Sequence, residues 1–267
     1  MKIHASALLE SLIPEIISET DDYLVINKPA GLAVHAGGNL KEPTLVDWLI
    51  ERYPDITSVG DTPAADAPIR PGLVHRLDKE VSGLMVIARN NESFENLKSQ
   101  FKNRTILKEY LALAHGRFTT DGDVINFPIT RAQEGYRMAA LPAGSSDLLV
   151  RRHPHRRDQG NIDSWFKSRQ AETEFTVLQK FVNFALVRVR IKTGRTHQIR
   201  VHFFAYGHPL VGDDLYSTKK TKDKNHKLAL GRVWLVADRL AFRDRQGEQR
   251  NFQIDPPRQL SDALPRH

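Results

Sequence analysis

At 267 residues the chain is long enough for one large domain or two small ones, with a 40% apolar and 27% charged composition typical of a globular protein. It has no cysteine, which excludes disulfides, thiolate metal sites and cysteine nucleophiles, and is compatible with a reducing cytoplasm as its compartment. A formal net charge of +7 favours an acidic partner such as RNA, and no apolar run approaches the length of a membrane span.

Residues 1–15 are expected as an N-terminal extension, and the stretch up to Glu19 (MKIHASALLESLIPEIISE) reads as short helical or irregular structure, because Glu10, Glu15 and Glu19 interrupt its apolar residues. Asp22 to Asn27 (DYLVIN) reads as a short buried strand, ended by Lys28, Pro29 and Gly31. Thr44 to Tyr53 carries Leu45, Trp48 and Leu49 at helical spacing, and Asp55 to Pro71 reads as a loop. Gly83 to Ala88 (GLMVIA) is a strand apolar on both faces. Asn91 is the expected N-cap of a helix with Phe94, Leu97 and Phe101 on one stripe. Glu109 to Ala114 reads as a strand.

Phe118 to Ser168 reads as loops with short strands between them, including a basic block from Arg151 to Arg157. Strands resume at Ala171 to Leu178 and at Leu186 to Lys192. In the second, Val187, Val189 and Ile191 alternate with Arg188, Arg190 and Lys192, so one face is basic. Thr196 is the expected cap of a helix running to about Tyr206. A basic loop with five lysines from Lys219 to Lys227 follows. Val233–Ala237, Leu240–Arg243 and Phe252–Ile254 read as the last strands. Many short strands with few helices predict an α+β fold around a largely antiparallel sheet.

Three segments place polar residues inside apolar or turn-forming frames: Arg70 to Leu84 (RPGLVHRLDKEVSGL), Lys108-Glu109-Tyr110, and Lys192 to His202 (KTGRTHQIRVH). Together with NKPAGLAVHAG near the N-terminus and GHPLVGDDLY after the third segment, they resemble the RluA-type pseudouridine synthase family in content and order. The resemblance runs from about Ile16 to Pro257. It implies the pseudouridine synthase fold: a central, largely antiparallel mixed sheet with flanking helices and loops, and an active-site cleft across the sheet. It also implies a single catalytic domain over 16–262 with a tail at 263–267. The small N-terminal RNA-binding domain of many members is expected to be absent.

What the resemblance implies chemically can be set beside what the residue types can do. Isomerising uridine breaks the bond from sugar to ring nitrogen, turns the uracil, and rejoins it through carbon 5. The reaction requires a carboxylate, a wall for the detached ring and exclusion of water, with no metal and no cofactor. By resemblance Asp78 is the carboxylate, open between attack on the sugar, attack on the ring and proton removal. Arg200 is its guanidinium partner, and Ile199 lines the pocket. Tyr110 stacks on the uracil and assists proton removal, and Arg76 fills the gap left by the flipped base. His75, Arg195, Thr196, His197 and Gln198 are expected to contact RNA, ribosomal RNA ahead of transfer RNA, with the protein a monomer.

Plainer readings stand beside these. Asp78 could cap a turn, Arg200 could lie exposed on a helix, and Tyr110 could simply pack. His197 and His202, five apart, suit packing or hydrogen bonding better than a metal pair. Two other functions compete: a non-catalytic RNA-binding or ribosome-assembly factor on the same fold, and a glycosidase with Glu80 as second acid.

Overall fold

The computed structural model describes residues 12–36, 42–61, 69–132, 137–140 and 168–264. The basic block at Arg151 to Arg157 lies outside them. The chain divides into two compact units: Met1–Tyr110 with Leu235–Pro257, and Leu111–Trp234 with Arg258–His267. The described elements are strands and helices in mixed order, an α+β fold as expected.

In the first unit, β1 (Glu15–Glu19), β2 (Tyr23–Lys28), β3 (Ser82–Ala88) and β10 (Leu235–Arg243) lie side by side in that order, with β11 (Gln249–Gln253) also on β10. The β3–β10 pairing is parallel; the β1–β2, β2–β3 and β10–β11 pairings are antiparallel. Leu24, Ile26, Leu84 and Ile87 are almost fully buried, each contributing roughly 1.5–3 kcal/mol over an exposed position. Gly83 has φ +126, and a Cβ there would meet the Ala237 backbone, so only glycine lets β10 come this close.

Helix α1 (Leu45–Arg52) starts at a Thr44–Asp47 capping box, and a 3₁₀ turn (Pro54–Ser58) follows inside the expected loop. Helix α2 (Asn91–Asn103) packs on β3 through Phe94 and Leu97. Its N-cap is Asn90, one residue before the expected Asn91. Asn90 accepts from the Ser93 N–H, while Asn91 accepts from the Gly60 N–H.

Strand β4 (Leu107–His115) leaves the first unit at Tyr110 and enters the second. There β9 (Phe184–Ile191), β8 (Thr173–Lys180) and β5 (Gly122–Ile125) pair antiparallel, and β6 (Ile129–Arg131) pairs with β7 (Met138–Ala140). Helix α3 (Gln198–Ala205) packs on β7 and β8, with Val201 in a cluster with Ile129, Ala171 and Tyr216. Helices α4 (Lys219–Leu228) and α5 (Arg258–Ser261) complete the described elements.

Four further expectations are corrected. The extension before Asp22 contains β1, joined to β2 by a turn in which Thr20 Oγ1 accepts from the Asp22 and Tyr23 N–H groups. The lysine-rich loop is helix α4, because a Thr218–Thr221 capping box starts it. Thr196 does not cap α3: its N-cap is His197, held in a left-handed conformation at φ 54. The two strands at 233–243 are one strand, β10, that runs through Asp238 and Arg239.

Candidate active site

In the first unit the segment carrying Asp78 runs from Leu73, bridged to Ile87, into the turn where the Val81 N–H donates to the Asp78 carbonyl and β3 begins. Two contacts fix its approach. His75 Nε2 accepts from the Val86 N–H at 3.0 Å, and its ring stacks on Phe101 with centroids 4.7 Å apart. An acceptor nitrogen requires neutral imidazole, and burial, with the Lys108 charge secondary, pushes His75 down to about 3. The half-buried ring therefore braces the segment against β3.

The far side of the turn is held by the NKPAGL segment. Lys28 is fully buried, and its ammonium donates to the carbonyls of Pro29 and Leu32 at 2.8 Å and of Lys79 at 3.4 Å. The Gly31 N–H donates to the same Lys79 carbonyl at 2.7 Å. A buried ammonium is costly unless its donors are used, and here they tie two distant motifs together one residue past Asp78. Sequence reading took Lys28 only as a strand breaker; its position inside a matched motif was the available signal.

Tyr110 is 7% exposed on β4, and its phenol is pushed well above the usual range, first by burial and then by the Asp78 carboxylate. The two groups are thus in electrostatic reach, and the phenol is protonated at neutral pH. To accept a proton it must first lose its own. Two residues earlier, Lys108 lies 5.3 Å from the Phe101 ring centroid, and burial lowers it to about 8. Arg76 is exposed, and its Nη1 lies 3.0 Å from His35 Nε2.

In the second unit Arg200 is 3% exposed, which removes the reading of a solvent-facing helix arginine. Its Nε and Nη2 fork onto the Asp213 carboxylate at 2.7 and 3.0 Å, and its guanidinium lies 5.4 Å from the Tyr216 ring centroid. Asp213 Oδ1 also accepts from the Leu215 and Tyr216 N–H groups, and Asn225 donates to the Asp213 carbonyl. Gly212 makes this turn possible: at φ +76, a Cβ would lie 2.0 Å from the Arg232 carbonyl oxygen. Asp213 was missed as a site residue, although it stands in the quoted GDDLY segment.

Of the expected RNA contacts, Thr196 is exposed, Arg195 is half-buried with Nε on the Gln170 carbonyl, and Ile199 is 5% exposed. His197 Nδ1 shares a 2.8 Å hydrogen bond with the Tyr216 hydroxyl. Gln198 is buried, and its amide is saturated. Its oxygen accepts from Thr193 and the Arg195 N–H, and its nitrogen donates to the Glu172 carbonyl and Thr173. It has no capacity left for a nucleotide and instead organises the KTGRTHQ turn. His202 is held between Thr173 and the Phe127 carbonyl, and burial lowers it to about 4. Among the described residues no group of three or more His, Asp or Glu is placed to hold a metal ion, and no helix is long and apolar enough to cross a membrane.

Residues 22–205 match the family model described as RNA pseudouridylate synthase. An uncharacterized RNA pseudouridine synthase of Bacillus subtilis (strain 168) is 33% identical over 258 residues, 96% of this chain and 74% of the relative. The ribosomal large subunit pseudouridine synthase D of Blochmanniella floridana is 35% identical over 212 residues, 78% of this chain but 56% of the relative. Among solved structures, human RNA pseudouridylate synthase domain containing 4 covers 99% of this chain and 97% of its own, at 25% identity and TM-score 0.65. Human RNA pseudouridylate synthase domain containing 1, at 23% identity and TM-score 0.68, shares the fold.

Proposed function

Because this chain belongs to the RNA pseudouridylate synthase family and is an isomerase acting on RNA, we propose that Asp78 is its essential carboxylate, that it flips its target uridine, and that its target lies in ribosomal RNA. The observation that carries this reading is that Asp78, in a turn clamped by Lys28 and His75, lies within electrostatic reach of the buried, protonated Tyr110.

The reaction conserves atoms and electrons. The N1–C1′ bond breaks and a C5–C1′ bond forms; the C5 proton is lost and the ring regains one at nitrogen. Asp78 supplies the carboxylate at the reacting nucleotide. The Tyr110 ring gives the detached uracil a flat apolar wall that keeps water out, and its phenol offers a hydrogen bond as a donor. Flipping is required because a stacked base hides its glycosidic bond, and Arg76, exposed on the same segment as Asp78, is suited to fill the gap. Asp213 fixes the orientation of Arg200.

Ribosomal RNA is favoured by the names of the ribosomal large subunit synthases among the relatives, of whose length the chain spans 56–60% in two cases. Mapping pseudouridine in total cellular RNA with and without the protein tests activity and target together. The expected result is one or a few ribosomal positions that lose pseudouridine when the protein is removed. Loss confined to transfer RNA would overturn the target, and no loss anywhere would overturn the activity.

A further inference from the structure

We infer that His35 is a positioning residue for Arg76: its neutral imidazole holds the guanidinium in place for RNA, and protonation of the ring releases it. This rests on the reading that the protein flips a uridine and that Arg76 takes part. Nothing in the motif resemblance assigns His35 a role.

The argument starts from donors and acceptors. A guanidinium carries only donors, so His35 Nε2, 3.0 Å from Arg76 Nη1, must accept and carry no proton. The other ring nitrogen, Nδ1, lies 3.0 Å from the Ala36 carbonyl, which can only accept, so Nδ1 carries the proton. Both contacts therefore demand one neutral tautomer.

The backbone behind the ring is fixed. The Leu45 N–H donates to the Ala33 carbonyl and the Val46 N–H to the Val34 carbonyl, so the first turn of α1 anchors the residues just before His35. An exposed arginine samples many rotamers, and a rigid acceptor selects one of them before RNA arrives. Charging the ring would remove the acceptor and set a cation against Arg76, with Arg70 as the other charge facing it. Burial, and those two arginines after it, hold the imidazole below its ordinary value of 6.5, so the neutral form prevails at neutral pH. The hold fails as the solution is acidified through that lowered value.

Two measurements test this on the full chain. The first is NMR titration of His35, which needs no turnover. The expected result is an Nδ1–H tautomer whose titration midpoint rises in Arg76→Ala; an unchanged midpoint would overturn the contact. The second is the pH profile of kcat/KM for pseudouridine formation. His35→Ala should lose about ten- to hundredfold at neutral pH, the size of one hydrogen bond to a charged group. In an Arg76→Ala background it should add nothing further. His35→Gln, whose amide oxygen accepts but does not titrate, should recover most of that loss and flatten the acid limb. Additive losses, or a wild-type acid limb in His35→Gln, would overturn the role. A wild type with the coupled titration but no pseudouridine would refute the isomerase reading and leave the contact standing.

Discussion

The segment around Asp78 and the segment around Arg200 are held in opposite ways. In the first unit the Asp78 turn is braced from outside: Lys28 and Gly31 grip the Lys79 carbonyl, and His75 takes one N–H from β3. The side chains it displays are half-buried or exposed. In the second unit Arg200 is sealed in: it forks onto Asp213, which also accepts from the Tyr216 N–H and whose carbonyl accepts from Asn225. A reactive acid must meet substrate, and the backbone beside Asp78 is gripped from two sides. A buried guanidinium must never lose its counter-charge, so its support is built into the core. Changes near Asp78 should therefore cost activity, and changes around Arg200 should cost stability first.

The largest stability effect that would break this comparison is at Asp213. Asp213→Ala leaves a buried guanidinium without its fork partner and should destabilise the protein by about 3–5 kcal/mol in denaturant melts. A loss under about 1 kcal/mol, the size of an exposed pair, would remove the distinction between the two segments.

The next effect is a pH dependence. His75 and His202 are neutral in the fold, at about 3 and about 4, whereas in the unfolded chain they titrate near 6.5. Between those values the unfolded state binds more protons, so stability falls as pH falls below 6.5. The slope should be about 1.4 kcal/mol per pH unit per histidine. His202→Gln should lower the slope by about 1.4 kcal/mol per pH unit, and an unchanged slope measured by urea melts from pH 6.5 to 4.5 would contradict the assignment.

The smallest effect is at Lys108, whose ammonium is held down to about 8 by burial. Below that value the charged form burdens the fold, so Lys108→Met should stabilise by about 1 kcal/mol at pH 7. The gain should fade as pH rises from 8 towards 10.5, where the unfolded lysine also loses its proton and folding no longer has to remove one. A gain independent of pH would mean that packing, not charge, sets it.

Much of this was legible because chemistry and pattern coincided. DYLVIN and GLMVIA are apolar on both faces, and buried strands result. Asp78, Tyr110 and Arg200 stood in fixed frames. Other features carry no such pattern. Strand β1 is broken by a register shift between Ile16 and Ser18, which destroys its alternation. Helix α4 has no apolar stripe; it is set by a capping box and by buried Asn225, hydrogen-bonded to His115. Asp213 and Lys28 were overlooked because charge in a turn reads as exposure, and only the fold reveals that both are fully buried.

The most direct test of the account is to measure RNA binding and pseudouridine formation on the same preparation of Asp78→Asn. The account predicts a folded protein that binds RNA about as tightly as wild type and forms no pseudouridine above background. Pseudouridine formed at the wild-type rate would contradict it, and would leave Asp78 as an ordinary turn residue.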